Sequence, residues 1–141
     1  MAYLSNTRTL TVEWGHCDPA GIVFNSHFFE YFDWSTVMLF QKALGITKRE
    51  MMTTFGSDFP LVDIKGSFML PARFGDVVEI TSTVGELRRS SFDVQHRLMN
   101  RGKLAVEGQE TRVWVGRDEN DPSKFKSKPI PPEIIARFKI D

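Results

Sequence analysis

Residues 15–27 read Gly-His-Cys-Asp-Pro-Ala-Gly-Ile-Val-Phe-Asn-Ser-His and gather an acid, a thiol and two imidazoles within thirteen positions. Asp-Pro breaks regular structure, so Asp18 sits on a tight loop. The residues that follow have helical periodicity. A helix N-terminus presents unpaired N–H groups and partial positive charge, which polarise a carbonyl and stabilise an oxyanion. A carboxylate beside such an end can act as nucleophile or general base. The plainer account of Asp18 is a turn former before proline. Cys17 beside His16 is a second possible nucleophile, although neighbours on an extended loop point apart. His16 and His27 could orient a substrate or tune Asp18, or simply pack against the loop. The run His16-Cys17-Asp18 lacks zinc-site spacing, and no metal is expected.

A second group lies far along the chain. Arg88-Arg89-Ser90-Ser91 puts two guanidinium groups and two hydroxyls between segments that read as strands. That combination suits phosphate oxygens. It also suits an ordinary solvated charge pair. No P-loop, dinucleotide-binding glycine fingerprint or G-x-S-x-G elbow competes with it.

The elements that must position these groups follow from periodicity. Leu10, Val12 and Trp14 alternate with polar residues, which predicts a strand over 8–14. Residues 26–44 predict a helix with Ser26 as N-cap and Gly45 as its stop. Ser26, Glu30, Asp33 and Gln41 form its polar stripe, and the rest is apolar enough to demand burial. Phe24 and Phe28 open this Phe-rich stretch, and the twelve phenylalanines of the chain suggest an aromatic-lined pocket. A shorter helix is expected over 47–57. Strands are expected over 62–70, 77–84, 91–99 and 104–115, with a hairpin at Asn100-Arg101-Gly102 and a possible bulge or close contact at Gly66. His96 falls on the apolar side of its strand. Residues 117–128 read as a polar loop and 131–138 as a short helix. Short turns imply antiparallel neighbours, so the fold class is α+β: one long helix against one curved antiparallel sheet. The outer face and edges of that sheet would need cover, which suggests a homo-oligomer.

Composition narrows the classes. The chain has 141 residues, which fits one domain over 1–141. Eighteen basic residues balance eighteen acidic ones, so no global footprint for nucleic acid or an anionic membrane exists. One cysteine excludes an intramolecular disulfide framework, and a lone thiol suits the cytosol. The first residues lack a basic start followed by a long apolar stretch, so no leader is expected. The longest apolar run, Val37–Phe40, is far too short to span a bilayer.

The block Asp18-Pro-Ala-Gly-Ile-Val-Phe24, followed by Phe28-Phe-Glu-Tyr-Phe-Asp33-Trp, resembles the hotdog-fold acyl-CoA thioesterases, nearest to the 4-hydroxybenzoyl-CoA branch. Glu86-Leu-Arg-Arg-Ser-Ser-Phe92 is similar to that branch as well. The resemblance runs from about Thr9 to Trp114. It implies that Asp18 attacks the thioester or activates water, with main-chain amides near Asn25 and Ser26 as oxyanion donors. Asn25 stands where a tyrosine is frequent, a departure that leaves a main-chain donor in place. Phe24, His27 and Phe28 are expected among the substrate-binding residues, and the resemblance further implies that Asp33 bears on acyl selectivity and that Arg88, Arg89 and Ser91 meet the CoA phosphates. It implies a tetramer built from dimers and no cofactor beyond the CoA of the substrate. An aliphatic acyl-CoA thioesterase and a non-catalytic acyl-CoA-binding protein are the alternatives.

Overall fold

The computed structural model describes residues 2–140. The chain forms β1 (Ala2–Tyr3) and β2 (Ser5–Thr11), one 3-10 turn at Trp14–His16, then the long helix α1 (Asn25–Leu44). Next come α2 (Lys48–Thr54), β3 (Ser57–Asp58), β4 (Leu61–Phe68), β5 (Val77–Leu87), β6 (Ser91–Asn100) and β7 (Lys103–Val113). The last elements are β8 (Val115–Arg117), β9 (Phe125–Ser127), α3 (Pro132–Phe138) and β10 (Lys139–Ile140). Five strands form one antiparallel sheet in the order β2-β5-β6-β7-β4. Its register shifts near Val84, Leu98 and Leu61, where extra residues bend the strands around α1. This is the α+β hotdog arrangement.

α1 buries Phe28, Tyr31, Phe32, Leu39, Phe40 and Ala43 on the inner face of the sheet. Two apolar clusters meet along it: Val78, Ile80, Leu98 and Val106 under its first half, and Val84, Phe92, Val94 and Trp114 under its second. Gly108 of β7 lets the helix come close, since a Cβ there would lie 2.4 Å from the Phe32 ring. Gly66 is the expected close-contact site, its would-be Cβ 2.9 Å from Phe29. The 100–102 hairpin forms with Arg101 and Gly102 both at positive φ, 53° and 75°, as a tight hairpin turn requires. Gly45 ends α1 in the left-handed region.

Several expectations change. The first strand lies earlier, at 5–11, because Thr7 and Thr9 pair with β5, and Trp14 turns outward in the 3-10 turn at 61% exposure. The helix starts one residue before Ser26, with Phe24 at the N-cap position and no side-chain cap. The last long strand breaks at Trp114. The polar stretch after it is partly ordered, because β9 pairs with β8 and β8 with β3. The outer face of the main sheet is polar, held by Thr7–Thr81, Gln95–Gln109, Arg97–Glu107 and Asp93–Thr111 contacts. It therefore carries no apolar demand for cover. The exposed apolar side chains lie instead along edge strand β4 and just beyond it: Leu61, Val62, Phe68, Met69 and Leu70.

Candidate active site

Asp18 rides on a small hairpin closed by main-chain hydrogen bonds. The Phe24 amide donates to the His16 carbonyl at 3.0 Å, the Asp18 amide to Ile22 at 2.9 Å, and the Gly21 amide to Asp18 at 2.9 Å. Gly21 takes φ +80°, which closes the turn without a Cβ conflict. The hairpin is tied to the 71–76 turn through Val23 to Ala72 and Phe74 to Gly21. Asp18 Oδ1 accepts from the Ala20 amide at 2.8 Å, so the plainer turn-forming role is real and fixes the carboxyl through one oxygen. No hydrogen-bond donor among the described residues takes the other oxygen.

The hairpin leads straight into α1. The Asn25 and Ser26 amides are its first two donors, both residues are exposed, and no side chain caps them. The His27 amide already turns back to the Phe24 carbonyl at 2.9 Å. Two free N–H groups at a helix start, beside a carboxylate whose loop is bonded to that start, can hold an oxyanion while the acid attacks or activates water.

Both histidines border this loop. His16 Nδ1 meets the Tyr31 hydroxyl at 2.9 Å, and burial, with the nearby Cys17, Glu13 and Glu30, pushes that phenol up to about 12. His27 Nδ1 meets Glu30 at 3.0 Å, and its ring lies 5.2 Å from that of His16. Cys17 points back toward the Glu13 carbonyl at 3.5 Å. Phe24 is 58% exposed, whereas Phe28 is buried in the core with almost no open surface. Trp14 and Phe74 pack edge to face at 5.4 Å, also in the open. Among the described residues no cluster of three or more metal-ligating side chains forms.

The basic group sits at the β5–β6 turn. Arg88 is occupied within the fold: it binds Asp93 at 2.7 Å, Glu86 at 3.1 Å and Ser91 Oγ at 2.7 Å. The Asp93 hydrogen bond holds its guanidinium above the ordinary arginine value despite some desolvation. Arg89 is exposed, and its carbonyl anchors the Ile130 amide at 2.8 Å. Of the two, Arg89 has its guanidinium open to solvent.

Asp33 joins a buried polar network that sequence reasoning missed. Arg112 Nη2 donates to Asp33 Oδ1 at 2.6 Å and to Glu110 Oε2 at 2.8 Å. Its Nε reaches Glu110 Oε1 at 3.1 Å, and Nη1 reaches the Phe59 carbonyl at 3.1 Å. His96 Nε2 donates to Glu110 Oε1 at 3.2 Å, His96 Nδ1 and the Ser82 hydroxyl meet at 2.7 Å, and Thr36 donates to Glu110. Phe32 stacks on His96 at 4.7 Å. Burial pushes the Glu110 carboxyl up, but the His96 and Arg112 hydrogen bonds outweigh it and hold it at about 2. The signal was present: period-two alternation runs on through Val106, Gly108, Glu110 and Arg112, all buried. Charges on an apolar face were the clue.

The profile of the thioesterase-like superfamily matches residues 12–138, and the chain belongs to that superfamily. Its chemistry is thioester hydrolysis. Among curated proteins it is similar to the 4-hydroxybenzoyl-CoA thioesterase of Pseudomonas sp. strain CBS-3, 28% identical over 137 residues that cover 93% of this chain and 95% of that protein. The solved structure of that Pseudomonas enzyme superposes with a TM-score of 0.85 at 27% identity, covering 94% of this chain and 98% of the other. A gentisyl-coenzyme A thioesterase structure gives a TM-score of 0.80 at 28% identity, covering 92% and 99%. Among the described residues no helix is long and apolar enough to cross a membrane.

Proposed function

We propose that this protein hydrolyses an aromatic acyl-CoA, of the hydroxybenzoyl kind, to the free acid and coenzyme A. The observation that carries the reading is the Asp18 hairpin bonded to the uncapped start of α1. The relatives named for 4-hydroxybenzoyl-CoA and gentisyl-coenzyme A support an aromatic acyl group.

The thioester oxygen would face the Asn25 and Ser26 amides. The Asp18 carboxylate would then attack the carbonyl carbon, the C–S bond would break, and CoA would leave as thiolate. Water opening the resulting anhydride returns the carboxylate and releases the acid. In the alternative route Asp18 takes a proton from water, which attacks in its place. Thiolate leaves readily, so no strong acid is needed to expel it. Phe24 and His27 border the acyl group, and Arg89 is the better placed arginine for a CoA phosphate, with Ser91 and Arg88 shaping the turn.

The same reading takes the active unit to be a cytoplasmic homo-tetramer built from dimers. The exposed apolar side chains near β4 and the open rings of Trp14, Phe24 and Phe74 support a partner surface there. Light scattering at micromolar concentration tests it, and a monomer would overturn it. A thiol-release screen over aromatic and aliphatic acyl-CoAs tests the substrate class. Preference for aliphatic chains would replace the aromatic reading, and binding without turnover would replace the catalytic one.

A further inference from the structure

The two strands of the Asp18 hairpin are held differently. The second, residues 21–24, is tied by main chain to the 71–76 turn through Val23 to Ala72 and Phe74 to Gly21. The first, residues 16–18, carries the acid and shares neither of those ties. Its main chain pairs with the second strand and folds back on the 3-10 turn through His16 to Glu13 and Cys17 to Trp14. Among the described residues, the one side-chain hydrogen bond from this hairpin to α1 joins His16 Nδ1 and the Tyr31 hydroxyl at 2.9 Å.

Tyr31 lies on the second turn of α1 and has no exposed surface. It packs edge to face on Phe28 at 6.0 Å, and the half-buried His16 ring stands nearly perpendicular to it, 5.2 Å away. A phenol fixed in a core presents its oxygen at one place, and a partner bonded there is held with it. Cys17 is extended, at φ −102° and ψ 151°, and bridges Val23. Alternation along an extended strand puts His16 and Asp18 on one side and Cys17 on the other. Cys17 packs against the core cluster accordingly. Any roll of this strand about its axis therefore swings the His16 ring and the Asp18 carboxyl together. The main chain couples the hairpin to the helix start, and the Tyr31–His16 bond fixes the roll.

We propose that Tyr31 is a positioning residue for thioester hydrolysis: its hydroxyl, through His16, holds the Asp18 carboxylate in the direction of a carbonyl seated at the Asn25 and Ser26 amides. The inference rests on the reading of Asp18 as the acid that attacks the thioester or activates water. It concerns the acid and not the acyl group, so it holds for aromatic and aliphatic esters alike. Correct aim is worth a large factor in rate, and a displacement of about 1 Å is enough to lose much of it.

The test measures kcat and KM for thiol release from 4-hydroxybenzoyl-CoA and from butyryl-CoA. The proteins are the wild type, Tyr31→Phe, His16→Leu, His16→Asn, Asp18→Asn and the double variant Tyr31→Phe/Asp18→Asn. Tyr31→Phe keeps the buried ring and removes only the hydroxyl. Its kcat should fall ~10-fold while KM stays within about two-fold, because aim is lost and binding is not. His16→Leu should do the same, and it carries the test if Tyr31→Phe does not fold, since His16 lies outside the core clusters. His16→Asn, whose amide both donates and accepts at about the reach of Nδ1, should recover most of the turnover that His16→Leu loses. In the Asp18→Asn background the loss of the Tyr31 hydroxyl should cost nothing further, because no carboxylate is left to aim. An equal proportional loss in both backgrounds would mean that Tyr31 serves stability alone, and would overturn the inference. If Asp18→Asn loses turnover while Tyr31→Phe and His16→Leu keep it, the positioning role falls and the reading of the acid survives. If Asp18→Asn keeps full turnover, or the wild type hydrolyses neither ester, that reading and the inference fall together.

Discussion

The main-chain amide of Phe24 donates to the carbonyl of His16 at 3.0 Å, and this bond closes the hairpin that carries Asp18 against the start of α1. The acid and the helix amides are thus coupled by backbone rather than by side chains.

Asp18→Asn keeps an oxygen to accept from the Ala20 amide, so the hairpin should persist and thermal stability should barely move. Turnover in a thiol-release assay should fall by at least ~10²-fold, the usual scale for a lost acid–base group. Cys17→Ala should stay close to wild type, since its sulfur points toward Glu13. The reverse pattern would make the thiol the nucleophile.

Arg89→Ala should raise KM for an acyl-CoA more than it lowers kcat, and should reduce the sensitivity of KM to added salt. Arg88→Ala should have the smaller effect on KM and should loosen the β5–β6 turn, because Asp93 and Ser91 lose their partner. Equal KM effects for the two variants would refute this division of roles.

The Glu110 carboxyl is held at about 2 in the fold, against roughly 4.3 in an unfolded chain. A depressed native value favours the folded state above the unfolded value and loses that advantage as pH falls toward 2. Stability should therefore drop between about pH 5 and pH 2, by on the order of 3 kcal/mol from this group. Asp76, held low first by the Arg73 amide, and Asp93, held low first by Arg88, act in the same direction. Urea midpoints measured across this range check it, and a flat profile would count against the buried pair.

Gly108→Ala places a methyl group 2.4 Å from the Phe32 ring, which must then shift or push α1 away. Thermal unfolding should show a loss of about 1–3 kcal/mol, the usual scale for overpacking. Gly15→Ala meets nothing within 4 Å and serves as the control.

Local rules carried much of the fold. Apolar alternation in 77–84 and 91–99, the Asn100-Arg101-Gly102 turn and the Gly45 stop each depend on neighbours a few residues away, and each appears where periodicity or turn chemistry puts it. The Asp18 block was legible for the same reason, since its hydrogen bonds join residues 16–24 to one another. Tertiary structure alone decided the rest. Which end of the 5–14 stretch pairs with β5 is set by partner strands, so Trp14 turns outward despite its place in the alternation. Arg88 and Arg89 look equivalent in sequence, yet only the fold brings Asp93 to one of them. Asp33 and Arg112 lie 79 positions apart and meet because α1 crosses the inner face of β7. Charge pairing across such a distance depends on how two elements pack, and no local pattern of residues encodes that packing.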